Sequence, residues 1–162
     1  MTEPTPRTDR AAFVLRGLLE QESMPSCFLD EAFNLVYWNA AFDRLVESHW
    51  SLSARALAGR HLLTSLPLPA PLLLALACLP SDPKPELLPR LQLGMADEAW
   101  DTRITPYMED GALLGVLMMF QDRTADMKRE QDEQPRLQLL QALLATTEEA
   151  VCWVMANGTI RL

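Results

Sequence analysis

The sequence predicts an α+β fold: a five-stranded antiparallel sheet flanked by short helices, with an amphipathic helix before it and a charged linker helix after it. Three observations carry this prediction. Residues 98–107 alternate between apolar and polar side chains, as a half-buried strand does. Asp110-Gly111 is a strong hairpin signal, because glycine allows the positive φ that tight turns require. From Asp122 onward the chain becomes charged and helical in pattern.

The first predicted element is an amphipathic helix within residues 1–22. Thr8 or Asp9 can cap it, and Pro25 ends it. Its apolar residues recur every three or four positions and therefore form one face. They are Ala11, Val14, Leu15, Leu18 and Leu19.

Two short strands and a capped helix follow. Residues 27–29 and 35–38 are predicted strands around a turn, in which Asn34 suits a positive φ. Asn39 then caps a helix over residues 40–47, whose inner face carries Phe42, Leu45 and Val46.

The second half of the sheet follows a helical region. Short helices broken at Gly59 precede a Leu/Ala-rich helix at residues 72–79. Three long strands are then predicted at residues 87–94, 98–107 and 112–121. The alternation in the middle strand places Trp100, Thr102 and Ile104 on one face.

Composition excludes several classes of protein. The 22 acidic residues outnumber the 14 basic ones, giving a net charge of −8, which argues against binding to nucleic acid or to an anionic membrane. The three cysteines form no CxxC pair, which favours a reducing compartment. The uncharged stretch between Arg60 and Asp82 is interrupted by three prolines, so it is interpreted as a loop and a buried helix. A cytoplasmic protein is predicted.

The chain contains an internal repeat with an offset of 125 residues. Cys27-Phe28-Leu29 matches Cys152-Trp153-Val154, and Asn34-Leu35 matches Thr159-Ile160. The repeat predicts a linker helix at residues 125–146, restarted at Pro135, and a second domain that starts at residues 147–162 and is truncated. Effector machinery is therefore expected beyond this chain.

The first copy resembles a PAS domain over roughly residues 20–124. Asp30, Asn34, Val36 and Asn39 stand near the positions of the family's opening motif, and Gly59-Arg60 resembles its G-(R/K). Gly111, Gly115, Asp122 and Thr124 resemble its closing motif. Asn34 departs from the usual glycine and Arg123 from the usual β-branched residue. The resemblance implies a PAS domain at residues 23–124 of a bacterial multidomain signalling protein, followed by the beginning of a second PAS domain.

The resemblance also implies roles for particular residues. Asp122 and Thr124 lie where changes in the sheet would pass to the linker helix; the alternative is a helix cap without a signalling role. Trp38, Asn39 and Trp100 are candidates for lining a cofactor pocket, although a role as core anchors is the favoured explanation for both tryptophans.

No cofactor is predicted, with a flavin as the alternative. Haem is disfavoured because the helix at 72–79 contains no histidine, and His49 and His61 are interpreted as surface residues. Cys78 lies in ALACLP, which does not resemble the reactive-cysteine motif of LOV-type sensors. No metal site and no catalytic motif is found in the sequence.

The predicted function is a sensory and regulatory module, which relays a small-molecule or partner state through its C-terminal helix. The effector would be a histidine kinase, a diguanylate cyclase or phosphodiesterase, or a transcriptional regulator, so any enzymatic activity would lie outside this chain. The alternative is a ligand-free dimerisation module. In both cases a homodimer is expected through apolar stripes on the first and last helices: Val14, Leu15, Leu18, Leu19, Leu137, Leu140 and Leu144.

Overall fold

The computed structural model describes residues 16, 17, 19–94 and 98–156, with side chains described up to residue 143. The chain divides into two compact units, Met1–Thr124 and Ala125–Leu162. Among its described residues, the first contains a sheet, four helices and a helical segment at residues 16, 17 and 19–21, where the N-terminal helix is predicted; the second continues a single helix. Among the described residues, no helix combines the length and apolar character needed to cross a bilayer.

The predicted five-stranded antiparallel sheet is confirmed. Its strand order is β2-β1-β5-β4-β3, and every neighbouring pair is antiparallel. β5 lies at the centre because it pairs with both β1 and β4. The strands are β1 (Ser26–Asp30), β2 (Leu35–Trp38), β3 (Glu86–Leu91), β4 (Trp100–Glu109) and β5 (Ala112–Asp122).

The β4–β5 hairpin forms at the turn that the sequence predicts. Asp110 and Gly111 both have positive φ, 51° and 81°. Two consecutive positive φ angles match the right-handed twist of the flanking strands. The hairpin therefore places Glu109 opposite Ala112 and continues to Trp100 opposite Asp122.

Five helices have their bounds within the described residues: α1 (Ala40–Trp50), α2 (Ala54–Leu57), α3 (Leu62–Ser65), α4 (Ala70–Cys78) and α5 (Thr124–Ala156). Asn39 caps α1 as predicted, since its side chain accepts a hydrogen bond from the Phe42 N–H. α1 ends three residues later than predicted, at Trp50, and its C-cap residue Ser51 has a left-handed backbone. The cap and the left-handed end satisfy backbone groups that the helix itself leaves unpaired.

The core lies between the inner face of the sheet and α1–α4. Removing each large apolar side chain from water contributes about 1.5–3 kcal/mol, so this layer holds the unit together. The predicted inner face of α1 is confirmed, because Phe42, Leu45 and Val46 are all buried. The largest fully buried core side chains are Leu29, Leu35, Phe42, Val46, Leu62, Leu72, Leu76, Leu93, Ile104, Val116, Met118 and Phe120.

The turn between β1 and β2 differs from the prediction. The residue with positive φ is Phe33 (58°), not Asn34. Asp30 fixes this geometry, because its carboxylate accepts hydrogen bonds from the Asn34 N–H (2.8 Å) and the Asn34 side-chain amide (2.9 Å). A left-handed backbone costs an ordinary residue about 1–2 kcal/mol, and the Phe33 ring offsets this cost by packing against the core and His61.

β3 is shorter than the predicted strand at 87–94. Its pairing with β4 is irregular between Leu88 and Leu91, and Arg90 in this bulge has a φ of 55°. Pro89 explains the irregularity, since proline has no N–H to donate to a strand ladder. Gly94, with a φ of 73°, follows the end of the strand.

The second unit departs most from the prediction. The helix α5 continues through residue 146, where the linker was expected to end, and it keeps Pro135 inside rather than restarting there. The predicted strand at Cys152–Val154 is wrong, because those residues are helical. A helix satisfies its backbone hydrogen bonds internally, whereas a short strand pair needs further strands. A second PAS domain is therefore not supported.

Candidate functional site

The junction between β5 and α5 is joined to the residue that precedes β4. The Asp122 carboxylate accepts a hydrogen bond from the Thr124 N–H (2.8 Å), which caps the start of α5. The Thr124 hydroxyl accepts from the Ala99 N–H (3.0 Å), and the Arg123 N–H donates to the Ala99 carbonyl (2.7 Å). Both predicted relay residues thus lie where β4, β5 and α5 meet; their role in relaying a signal remains a prediction.

Asp101 links the same junction to the bulge in β3. One carboxylate oxygen accepts a hydrogen bond from the Arg90 N–H (2.9 Å), and the other lies 3.6 Å from Arg123 Nε. Arg123 is the residue that departs from the usual closing motif of the resemblance. The departure therefore has a local explanation, because a guanidinium at this position pairs with a carboxylate on β4.

The side chain of His49 is buried, so the prediction of a surface histidine is wrong. Its side chain is 6% exposed, and its Nε2 lies 2.7 Å from Glu98 Oε2. The same oxygen accepts a hydrogen bond from the Trp100 indole N–H (3.1 Å), and the rings of His49 and Trp100 meet edge to face. This network joins the last turn of α1 to the start of β4, beside Asp122. Its partners are 49 residues apart in sequence, so spacing could not reveal it.

An open cleft of about 380 Å³ lies along this network. Its wall includes Arg44 and Ser48 from α1, Glu98 and Trp100 from the β4 side, and Asp122 from the end of β5. Because basic and acidic side chains both line the cleft, it is not suited to binding anions only or cations only.

Asn39, a predicted pocket residue, has its side-chain amide fully engaged within the chain. The oxygen accepts from the N–H groups of Ser26 (3.1 Å) and Phe42 (2.9 Å), and the nitrogen donates to the carbonyls of Glu22 (2.9 Å) and Met24 (2.7 Å). An amide group offers two acceptor and two donor positions, so none is left for a ligand. The Asn39 side chain therefore holds the segment before β1 against the start of α1 through these hydrogen bonds.

The structure does not bring the two candidate tryptophans together. Trp38 is on β2 and Trp100 on β4, with β1 and β5 between them. Because neighbouring strands are about 4.8 Å apart, the two positions are separated by about 14 Å across the sheet. Trp38 is half-buried and packs against the core, while Trp100 is buried. A pocket role for either residue stays a prediction.

Thr102 is the polar residue on the inner face that the sequence analysis did not single out as a site. It is fully buried on β4, and its hydroxyl has no hydrogen-bond partner among the described residues. It lies beside Phe120 on β5 and Leu88 on β3. The alternating pattern already predicts that Thr102 is buried, because it falls between Trp100 and Ile104 on the same face of the strand. A buried hydroxyl without a partner is costly, which marks this position as one where a bound polar group would be favourable.

The cysteine in the core, Cys27, is not set up to react. Burial raises the pKa of the Cys27 thiol, because the thiolate would lose its hydration, so the thiol stays protonated. Cys78 is exposed at the end of α4.

Within residues 16, 17, 19–94 and 98–156, no three histidine, cysteine or acidic side chains are grouped closely enough to hold a metal ion.

The predicted dimer residues fall into two groups. Leu19 is already buried, and Val14, Leu15 and Leu18 lie outside the described residues. On α5, Leu137 and Leu140 are 57% and 55% exposed, and Leu139 and Leu143 are exposed as well. Leu144 lies in the same helix, beyond the described side chains. Leu137 and Leu140 are therefore exposed, and pairing of two chains through the stripe stays a prediction.

Comparison with solved structures identifies the fold. The chain is similar to a sensory box sensor histidine kinase from Vibrio cholerae, with 19% identity over 72% of this chain and 94% of that one and a TM-score of 0.50. It is similar to the PAS domain of BvgS from Bordetella pertussis, with 17% identity over 78% and 98% of the two chains and a TM-score of 0.52. Histidine kinase ThkA, in complex with the response regulator TrrA, has 18% identity and a TM-score of 0.61. That match covers 88% of this chain and 42% of the kinase.

Sequence comparisons add nothing further: no protein-family model matches the chain, and no curated protein matches it either. The structural matches include PAS domains of sensor kinases. The chain therefore has the PAS-domain fold.

Proposed function

We propose that the chain is the sensory PAS module of a signal-transduction protein and that it passes a change at its sheet to α5. The observation that carries this proposal is the set of hydrogen bonds around Ala99, which joins β4 to Arg123 and Thr124 at the beginning of the helix. A shift of β4 along or across the sheet would break or strain these bonds. The helix would then start in a different orientation or lose its first turn.

The signal in this proposal is a small molecule bound between the sheet and the helices. Thr102 supports it, since its buried hydroxyl lacks a partner and lies on the same strand as the Ala99 junction. The ligand would be largely apolar, to match the leucine-rich surroundings, with one group able to hydrogen-bond to a hydroxyl. A flavin remains the cofactor alternative, and a chromophore would reveal itself by its absorption.

Native mass spectrometry of the purified chain, combined with an absorption spectrum, tests this part. We expect a small-molecule mass excess that is lost in Thr102→Val and retained in Thr105→Val, which changes a threonine on the opposite face of the same strand. A chain that has no mass excess when isolated from its native host, and that has no absorption above 300 nm, would favour the second candidate function instead.

The second candidate is a ligand-free dimerisation module, favoured by the exposed leucines of α5. We propose that this stripe pairs two copies of the chain; the two functions are compatible. Sedimentation velocity should show a concentration-dependent dimer that Leu140→Asp dissociates. Gln138→Asp, on another face of the same turn, is the matched control and should leave the dimer intact. A monomer at all concentrations, or equal effects of the two variants, would contradict a dimer through this stripe.

The receiver of the signal is proposed as a histidine kinase, a diguanylate cyclase or phosphodiesterase, or a transcriptional regulator, in the cytoplasm of a bacterium. The match to ThkA supports the first of these, since the kinase extends well beyond the part that this chain covers. The experiment is a fusion of the chain to a histidine-kinase core, with autophosphorylation measured for the wild type and for Thr124→Val. A relay through the junction predicts altered kinase activity in the variant, and unchanged activity would contradict it.

A further inference from the structure

The open cleft between α1 and the start of β4 has a volume of about 380 Å³, which lies in the range of small-molecule sites. Its wall includes three exposed residues, Arg44, Ser48 and Asp122, so it opens to solvent beside the core. A ligand in this cleft is therefore separate from the interior ligand of the proposed function, and neither site depends on the other.

Arg44 supplies the positive charge of the cleft. The residue is exposed on α1, and its side chain has no ion pair or hydrogen bond with any residue that the structure describes. A guanidinium group binds a carboxylate through two parallel hydrogen bonds, which makes arginine well suited to that group. Arg44 is therefore free to bind an anionic group that enters the cleft.

Glu98 and Asp122 supply the negative charges. Glu98 Oε2 is engaged by His49 Nε2 and the Trp100 indole N–H, and Asp122 Oδ1 accepts the Thr124 N–H. The second oxygen of each carboxylate has no partner within the described part of the chain. Because an ionised carboxylate accepts hydrogen bonds at both oxygens, each can still bind an ammonium group.

The positive and negative charges are separated by about the length of a dipeptide. Glu98 is held at His49, which follows Arg44 by five residues on α1, a rise of about 7.5 Å along the helix. An extended dipeptide spans about 7 Å, and a single amino acid spans half of that. The apolar part of the wall is formed by Pro25, Ala41, Leu45 and Trp100.

We propose that this cleft binds a zwitterionic dipeptide, with the peptide carboxylate on Arg44 and the peptide ammonium group on Glu98 and Asp122. The apolar wall contacts an aliphatic side chain of the peptide. Asp122 also caps α5 through its other oxygen. A positive charge beside this carboxylate reduces the negative charge that it presents to the N-terminal end of the helix, so the peptide acts on the junction between β5 and α5.

Isothermal titration calorimetry of the wild-type chain with L-alanyl-L-leucine tests the proposal. The affinity should fall at least threefold for the N-acetylated peptide, which lacks the ammonium group, and for the peptide amide, which lacks the carboxylate. L-Leucine should also bind at least threefold more weakly, because its two charges are too close together to reach both ends of the cleft.

Three results of this titration would overturn the proposal. They are no binding of the dipeptide, equal affinity for the blocked peptides, and equal affinity for leucine. The last result would assign the cleft to free amino acids instead. All three are read on the wild-type chain, so they do not depend on the folding of a variant.

Two pairs of variants place the peptide in this cleft. Arg44→Gln should weaken dipeptide binding at least threefold, whereas Arg55→Gln, which changes an exposed arginine on α2 outside the cleft, should leave it within twofold. Asp122→Asn should also weaken binding at least threefold, and its side-chain oxygen can still accept the hydrogen bond from Thr124. Glu31→Gln, in the turn after β1, is its control. Equal effects within either pair would contradict binding at this cleft.

The Trp100 indole N–H reports the position of the peptide directly. It donates to Glu98 Oε2 at 3.1 Å, so an ammonium group on Glu98 should shift its resonance in a ¹H–¹⁵N correlation spectrum. Trp38, on the far side of the sheet, is the internal control and should not shift. A shift of Trp38 without a shift of Trp100 would place the peptide elsewhere and overturn the proposal.

Discussion

Gly115 on β5 lies directly against the ring of Phe28 on the neighbouring strand, and a Cβ at Gly115 would overlap both that ring and the Leu29 carbonyl. The ring also meets Tyr107 edge to face, with centroids 5.8 Å apart. Tyr107 is in turn the β4 partner of Gly115. The glycine of the closing motif is therefore required by packing, since its φ is not positive.

Gly115→Ala should destabilise the chain by about 2 kcal/mol or more, because either Phe28 or the β1 backbone must move to admit the methyl group. Chemical denaturation followed by tryptophan fluorescence measures the free energy of unfolding. Gly17→Ala is the matched control: a Cβ at Gly17, in a helical segment, has no atom of the described residues within 4 Å, so alanine should leave stability unchanged or raise it. A Gly115→Ala chain as stable as the wild type would show that this contact is not tight.

Thr102→Val should stabilise the ligand-free chain by about 1 kcal/mol, because it replaces a buried hydroxyl without a partner by an isosteric apolar group. Thr105→Val, on the opposite face of β4, should change stability by less than about 0.5 kcal/mol. Thermal unfolding of both variants measures the difference. A loss of stability in Thr102→Val would mean that the hydroxyl has a favourable interaction in solution.

Glu98→Ala should cost about 1–2 kcal/mol of stability, since it removes the shared acceptor of the buried His49 ring and the Trp100 indole. The near-ultraviolet circular dichroism of Trp100 should change with it. Glu47→Ala, on the exposed side of α1, is the control and should have little effect. Equal stabilities of the two variants would indicate that the network is not formed.

Cys27 should be unreactive toward Ellman's reagent in the folded chain, because burial raises the pKa of its thiol and blocks access. Cys78 is exposed and serves as the internal control. In a Cys152→Ser variant we expect one thiol to react rapidly under native conditions and a second only after unfolding. Two rapidly reacting thiols would contradict the packing of β1.

Local signals in the sequence were enough to predict the sheet. The alternation in β4, the Asp110-Gly111 turn and the Asn39 cap each depend on residues close together in the chain, and all three are confirmed. Their physical causes, side-chain periodicity and permitted φ angles, act over a few residues. For the same reason the order of elements and the inner face of α1 could be predicted.

The errors arose where distant residues decide the structure. His49 is buried because Glu98 is brought against it by the fold, and Phe33 takes the left-handed turn because the core and His61 hold its ring. Neither partner is visible in a local pattern. The predicted strand at residues 152–154 failed for a related reason: a strand depends on partners elsewhere, whereas the helix found there does not.

The Pro25 carbonyl accepts a hydrogen bond from the Phe120 N–H (2.8 Å), two residues before β5 ends. The polypeptide thus enters the sheet and leaves it on adjacent strands, a few ångströms apart. A domain whose two ends lie this close together can be inserted into a longer chain with little displacement of the flanking segments.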